Sequence, residues 1–183
     1  MRLVLLGPPN SGKGTQAAQL AEHLGIPAIS TGDMLREAVA EGSELGRRVD
    51  SIMQSGRLVD DETMAAVVRE RLAKVDAAKG FLLDGYPRTL PQVETLEGLL
   101  ADADRELDAA VQIVVPKEIL IERALARGRK DDSAEVMEER LKVYGELTAP
   151  LVGYYGGRSL LRTVDGDRSI DQVFASILEA IGR

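Results

Sequence analysis

Cysteine is absent from this 183-residue chain, which excludes disulfides and thiolate metal sites. Histidine occurs once. His23 stands among helix-forming residues with no second histidine to share a metal, and it reads as a helix-surface residue. No apolar run approaches the roughly 20 residues that cross a bilayer. The opening stretch, Met1-Arg2-Leu3-Val4-Leu5-Leu6, is charged and then apolar, but it is too short for a signal peptide. It runs into Gly7-Pro8-Pro9 without a small-residue cleavage pattern, and it reads as a buried first strand. Excess positive charge is missing as well. The net charge is −7, which argues against a general nucleic-acid or acidic-membrane surface.

What is present suits one soluble domain with a substantial core: 44 % hydrophobic and 29 % charged residues. The cations are 17 Arg against 6 Lys. Arginine's planar fork matches phosphate oxygens, but a genomic base bias would raise its count equally, so position must decide.

Short apolar runs at 3–6, 81–83, 111–115 and 160–164 read as strands buried on both faces, with a weaker candidate at 27–29. Helical spacing runs through 13–24, 33–41, 45–55, 62–74, 92–100, 118–127 and 134–144. A last helix at 170–181 follows Ser169, with Gln172 three residues on, a capping-box pattern. The alternation predicts an α/β fold, a parallel sheet of about five strands covered by helices on both sides. The nucleotide cleft is expected at the strands' C-terminal ends. Residues 30–60 and the charged stretch at 127–133 read as excursions from that core.

Gly7-Pro8-Pro9-Asn10-Ser11-Gly12-Lys13 fits the G-x-x-x-x-G-K core of a P-loop, after a predicted strand and before a predicted helix. Backbone N–H groups of such a loop cradle phosphate, the helix offers its positive dipole end, and Lys13 brings a mobile charge. The usual Ser/Thr after the lysine is replaced by Gly14, with Thr15 next. A loop that lacks this hydroxyl is expected to hold Mg²⁺ largely through water, with Asp84 as an outer ligand. This favours a small kinase over a switch GTPase.

The stretch at 7–16, with Ser30-Thr31-Gly32-Asp33-Met34-Leu35-Arg36 and Asp84-Gly85-Tyr86-Pro87-Arg88-Thr89, resembles adenylate kinase. So do Gly56-Arg57-Leu58-Val59, Arg129-Lys130-Asp131-Asp132 and Thr148-Ala149-Pro150-Leu151, in order along essentially the whole chain. In that family's loop Gly14 is expected and Asn10 is the unusual residue. A position needing φ > 0 tolerates asparagine.

The resemblance implies a P-loop fold with a monophosphate-binding subregion at 30–59 and a short lid at 126–132. ATP would lie on Asn10, Ser11, Gly12, Lys13, Gly14, Thr15, Arg123, Arg127 and Gly166. AMP would lie on Thr31, Arg36, Arg57, Leu58, Val59, Gly85, Tyr86, Pro87, Arg88, Gln92, Arg129 and Arg140. Thr31 and Gln92 would face the adenine. Lys13, Arg88, Arg123, Arg129 and Arg140 would carry catalysis. The implied partners are ATP, AMP and ADP, with Mg²⁺ and no zinc, in a cytoplasmic monomer that binds neither nucleic acid nor membrane.

Physical reasoning agrees with those roles. Two phosphate-bearing substrates end to end carry about six negative charges. Arg36 and Arg88 would grip the acceptor phosphate, and Arg123, Arg127, Arg129 and Arg140 would close over the donor. The acceptor phosphate, with a second pKa of about 6, is largely dianionic at neutral pH and needs no general base. The lack of a His, Cys or Ser constellation is therefore expected. Thr89-x-x-Gln92 is also a capping box, so Gln92 could serve the helix start as well as the base. A UMP/CMP kinase remains open, although such kinases tend to carry alanine at the Thr31 position and asparagine at Thr89. A nucleotide-binding regulator without rapid turnover remains open too.

Overall fold

The computed structural model describes residues 1–127 and 133–183. Five strands form one sheet: β1 (Arg2–Leu6), β2 (Ala28–Ser30), β3 (Phe81–Asp84), β4 (Ala109–Val114) and β5 (Leu161–Asp165). Their order is β2-β3-β1-β4-β5, and every pair is parallel. The β1 side chains alternate between two cores. Leu3 and Leu5 join Leu82, Val111, Ile113 and Val164 on one face, while Val4 and Leu6 join Phe81, Leu83 and Ala110 on the other. Both faces are dry, which is why these strands read as unbroken apolar runs.

Helix α1 (Lys13–Leu24) follows β1 and packs Ala17 and Leu20 on the first face; α5 (Leu90–Ala101) follows β3 and packs Val93, Leu96 and Leu100 on the second. The crossovers from β1 and β3 thus leave toward opposite edges of the sheet. Right-handed connections place them on opposite faces and open a crevice at the strands' carboxyl ends. Between β2 and β3 the chain forms α2 (Thr31–Ala40), α3 (Glu44–Gln54) and α4 (Asp61–Leu72). Each starts on a side-chain cap, from Ser30, Ser43 and Asp60, satisfying orphan N–H groups at the helix start.

After β4 come α6 (Lys117–Arg127) and α7 (Ala134–Val143), then a π-turn at Tyr144–Thr148, α8 (Pro150–Gly157), β5 and α9 (Ile170–Ala180). The capping box of α9 is formed: Ser169 Oγ accepts from Gln172 N–H, and Gln172 Oε1 accepts from Ser169 N–H. Helix α8 was not expected from the sequence. Its Pro-Leu-Val-Gly-Tyr-Tyr-Gly-Gly stretch has poor intrinsic propensity; tertiary burial of Leu151 and Tyr155 against the core makes it helical. The predicted helix starts and ends otherwise differ by one or two residues, as caps commonly shift them.

Candidate active site

The loop between β1 and α1 forms the floor of a cleft of about 650 Å³ at the carboxyl ends of the strands, a size typical of small-ligand sites. Its curvature is dictated by backbone. Gly7 has φ 146°, and a Cβ there would stand 2.7 Å from the Ile113 carbonyl and 2.8 Å from Ser11 Oγ, so no side chain fits. Asn10 has φ 64°, a left-handed conformation that asparagine tolerates better than most residues; this accounts for asparagine at that position. Its Nδ2 donates to Met137 Sδ of α7 at 3.1 Å. Lys13 Nζ donates to the Gly7 and Pro8 carbonyls at 2.8 Å each and to Ser11 Oγ at 3.4 Å. The cation is thus held over the rim of the loop. Ser11 is buried beneath it, while Gly12, Gly14 and Thr15 line the cleft.

Asp84, the last residue of β3, faces the start of α1: a methyl placed on Gly14 would lie 3.6 Å from Asp84 Oδ2. Among the described residues no three metal-ligating side chains gather. One carboxylate at the mouth of a phosphate loop fits Mg²⁺, which keeps most of its waters and binds through one or two carboxylates and substrate phosphates. When bound with a nucleotide, the ion would screen phosphate charge. Arg123 of α6 lines the same cleft, and its Nη2 donates to the Gly166 carbonyl at 2.9 Å. Two expected donor-side residues, far apart in sequence, are thereby joined.

The rest of the cleft comes from α2, the 56–59 segment, the turn after β3, Gln92 of α5 and Arg140 of α7. Thr31, Arg36, Arg57, Leu58, Val59, Gly85, Pro87, Arg88, Gln92 and Arg140 all line it. Gly85 has φ 82°, and a Cβ there would sit 2.9 Å from both Arg88 Nη2 and Thr31 Oγ1. Its carbonyl accepts from Thr31 Oγ1 at 2.9 Å and from Arg88 Nε at 2.7 Å. The hydroxyl proton of Thr31 is therefore spent inward, leaving its oxygen lone pairs as acceptors. Arg36 pairs with Asp33 at 2.6 Å.

Arg88 retains some surface toward the cleft, but its guanidinium is enclosed by protein. Burial pulls its pKa down; the like charges of Arg140 and Arg36 act in the same direction and Asp84 opposes them. Among the described residues no carboxylate forms an ion pair with Arg88. Arg36, Arg88 and Arg140 thus bring three positive charges to one part of the cleft, with Arg88 lacking a carboxylate ion pair among the described residues, which is the electrostatics of an anion site.

Tyr86 is the exception among the described residues expected on the acceptor side. Its ring is fully buried, and its hydroxyl donates to the Gln92 carbonyl at 3.1 Å, so it supports the turn from the core rather than facing the cleft. Burial and the nearby Asp61 charge push its phenol up to about 12. Arg127 ends α6, with its side chain outside the described residues; Arg129 and the lid core at 128–132 lie outside them too.

The adenylate kinase family model matches residues 5–160. The chain belongs to the adenylate kinase family. It is 51 % identical to an adenylate kinase from Stenotrophomonas maltophilia (strain R551-3), with 99 % of each chain covered. It is 50 % identical to one from Xanthomonas campestris pv. campestris (strain 8004) and 49 % identical to one from Xylella fastidiosa (strain 9a5c), each over the full length of both chains.

Three supports of this adenylate kinase cleft were given no role by sequence reasoning, although Gly56 and Thr148 stand in the resembling stretches. Thr148, in the π-turn, donates to the Arg88 carbonyl at 2.9 Å, holding the turn that presents the guanidinium. Gly56 brings the 56–59 segment against α7, where a Cβ would meet the Val136 carbonyl at 3.0 Å. Asp61 accepts from Thr89 Oγ1 at 2.9 Å and from Gln92 Nε2 at 2.8 Å. Its only sequence signal was an acid at a helix start, which the helix dipole alone explains.

Proposed function

We propose that this chain catalyses reversible phosphoryl transfer between ATP and AMP, giving 2 ADP, in the cytoplasm and as a monomer. One observation carries the reading: the P-loop lysine and a separate arginine cluster of Arg36, Arg88 and Arg140 face one cleft. A regulator that merely binds ATP has no use for the second cluster. In this reading Lys13 and Arg123 serve the donor, Arg88 and Arg36 hold the acceptor phosphate, and Arg140 stands between them. The subregion at 30–59 holds the monophosphate, and the short lid at 126–132 closes over the donor with Arg127 and Arg129, excluding water that would otherwise hydrolyse ATP. The acceptor oxygen is already ionised, so rate enhancement comes from in-line positioning and charge neutralisation.

A coupled assay for ADP formed from ATP with AMP, CMP or UMP tests the reading. AMP is expected to be the favoured acceptor; equal kcat/KM for AMP and CMP would replace it with a broad monophosphate kinase. Chelating Mg²⁺ with EDTA is expected to stop turnover without shifting the melting temperature, because the ion belongs to the nucleotide complex. A lower melting temperature on chelation would reveal a structural metal.

Thr31→Ala is expected to erode the preference for AMP over CMP and UMP while leaving the KM for ATP nearly unchanged. The hydroxyl oxygen is an acceptor suited to the exocyclic amine of a purine, and a site built on hydrogen bonds rejects bases that leave its groups unpaired. The check is kcat/KM for the three monophosphates at fixed ATP, and an unchanged ratio would remove Thr31 from base selection.

A further inference from the structure

Gln92 lies at the third position of α5, 2 % exposed, with its side chain on the cleft wall. Both ends of its amide are tied. Oε1 accepts the Arg88 backbone N–H at 2.8 Å, and Nε2 donates to Asp61 Oδ1 at 2.8 Å. The expected capping box is therefore only half formed: Thr89 Oγ1 accepts from Gln92 N–H, but the glutamine side chain turns to Arg88 and Asp61. A backbone N–H can only donate and an ionised carboxylate can only accept. Turning the amide over would set donor against donor and acceptor against acceptor. Its orientation is thus decided by its neighbours. A carboxamide has two acceptor lone pairs and two donor hydrogens, so one of each remains for a bound base.

We infer that Asp61 is a positioning residue that locks the Gln92 amide in the sense that accepts a 6-amino purine monophosphate and rejects a 6-oxo one. The inference rests on the proposed function, in which the acceptor base lies against Gln92. On either edge, adenine shows an amine donor at C6 beside a ring-nitrogen acceptor. Its complement is an acceptor beside a donor, which the locked amide presents. A 6-oxo purine puts an acceptor where the amine stood, facing Oε1. The mismatch leaves buried polar groups unpaired, which is how such sites reject near-isosteres. Asp61 never touches the substrate. Thr89 Oγ1 donates to the same carboxylate oxygen and holds it toward Gln92.

The test uses initial rates with AMP and with IMP, its 6-oxo counterpart, at saturating ATP. Asp61→Ala and Asp61→Ser both remove the carboxylate acceptor, the serine hydroxyl being one bond shorter than the Oδ1 that Gln92 Nε2 reaches. The α4 cap, Asp60 Oδ1 accepting from Thr63 N–H at 2.8 Å, stays in place in each, so the serine variant carries the comparison if the alanine variant does not fold. Losing a charge-assisted hydrogen bond is expected to raise the KM for AMP about tenfold and to narrow the AMP-to-IMP ratio of kcat/KM about tenfold. The kcat for AMP should stay within about threefold, because the base contact is shared by ground and transition states. Asp61→Asn keeps an acceptor oxygen and is expected to restore the ratio to within about threefold of the parent. In a Gln92→Ala background, Asp61→Ala should change the ratio no further, since the two residues act as one unit. An unchanged ratio in the alanine and serine variants, even with a lowered melting temperature, overturns the inference and leaves Asp61 a structural residue. A parent enzyme that forms no ADP from ATP and AMP overturns the proposed function instead.

Discussion

Lys13→Ala is expected to lower kcat by on the order of 10²–10³-fold, the loss seen when one preorganised charge stabiliser is removed. The same substitution should barely affect folding. Lys13 is only partly buried and bonds to the Gly7 and Pro8 carbonyls and to Ser11 Oγ of the loop before it. Losing those partly exposed bonds costs about 1 kcal/mol, or roughly 2–4 °C in melting temperature for a chain of this size. The ammonium, a compact charge on a flexible stem, can leave those carbonyls for a phosphate without disturbing the glycine-shaped backbone beneath it. Steady-state kinetics with a thermal melt check both halves. Activity within a few-fold of the parent would mean that Lys13 has been given the wrong role.

Arg88→Met separates catalysis from stability more sharply. Activity should again fall by at least about 10²-fold, through kcat as well as the KM for AMP, because in the proposed function the guanidinium grips the acceptor phosphate and the transferring group. The melting temperature should hold or rise. The folded state holds this cation where burial and the charges of Arg140 and Arg36 oppose it. Folding depresses the pKa of a group that is cationic throughout the physiological range, so the charged form is less favourable folded than unfolded. The resulting cost is present at every pH below arginine's titration range. Methionine removes the charge and keeps much of the volume. The Gly85 carbonyl that loses Arg88 Nε keeps Thr31 Oγ1 at 2.9 Å, and the Arg88 backbone remains tied to Gln92 and Thr148. A melting temperature lowered by more than several degrees would show that Arg88 is a structural residue.

These two residues were legible in the sequence because local signals agreed. Lys13 closes a glycine loop between an apolar run and a helical one, and Arg88 follows Asp84-Gly85-Tyr86-Pro87 just past a buried strand. The strands themselves were plain, since an interior parallel strand is apolar on both faces and reads as a continuous run. Tyr86 shows where such reasoning stops. Its neighbours in sequence face the cleft, yet the turn sends its ring into the core, and no periodicity in a four-residue turn reports that direction. Asp61 was hidden for a different reason. It lies 31 residues from Gln92, and only the packing of α4 against α5 joins them. Asn10 was a departure without a reason until its φ of 64° supplied one. Helix α8 shows burial of Leu151 and Tyr155 overriding a glycine-rich sequence.

The central claim is that one cleft holds a donor triphosphate and an acceptor monophosphate and exchanges a phosphoryl group between them. It is tested most directly by incubating the purified chain with Mg·ATP alone and with each of AMP, CMP and UMP, and by counting ADP formed per ATP consumed. The account predicts two ADP for each ATP with AMP, weak turnover with the pyrimidine monophosphates, and negligible ADP from ATP alone. Steady ADP release from ATP without any acceptor, unchanged by adding AMP, would contradict it and make the chain a nucleotide hydrolase.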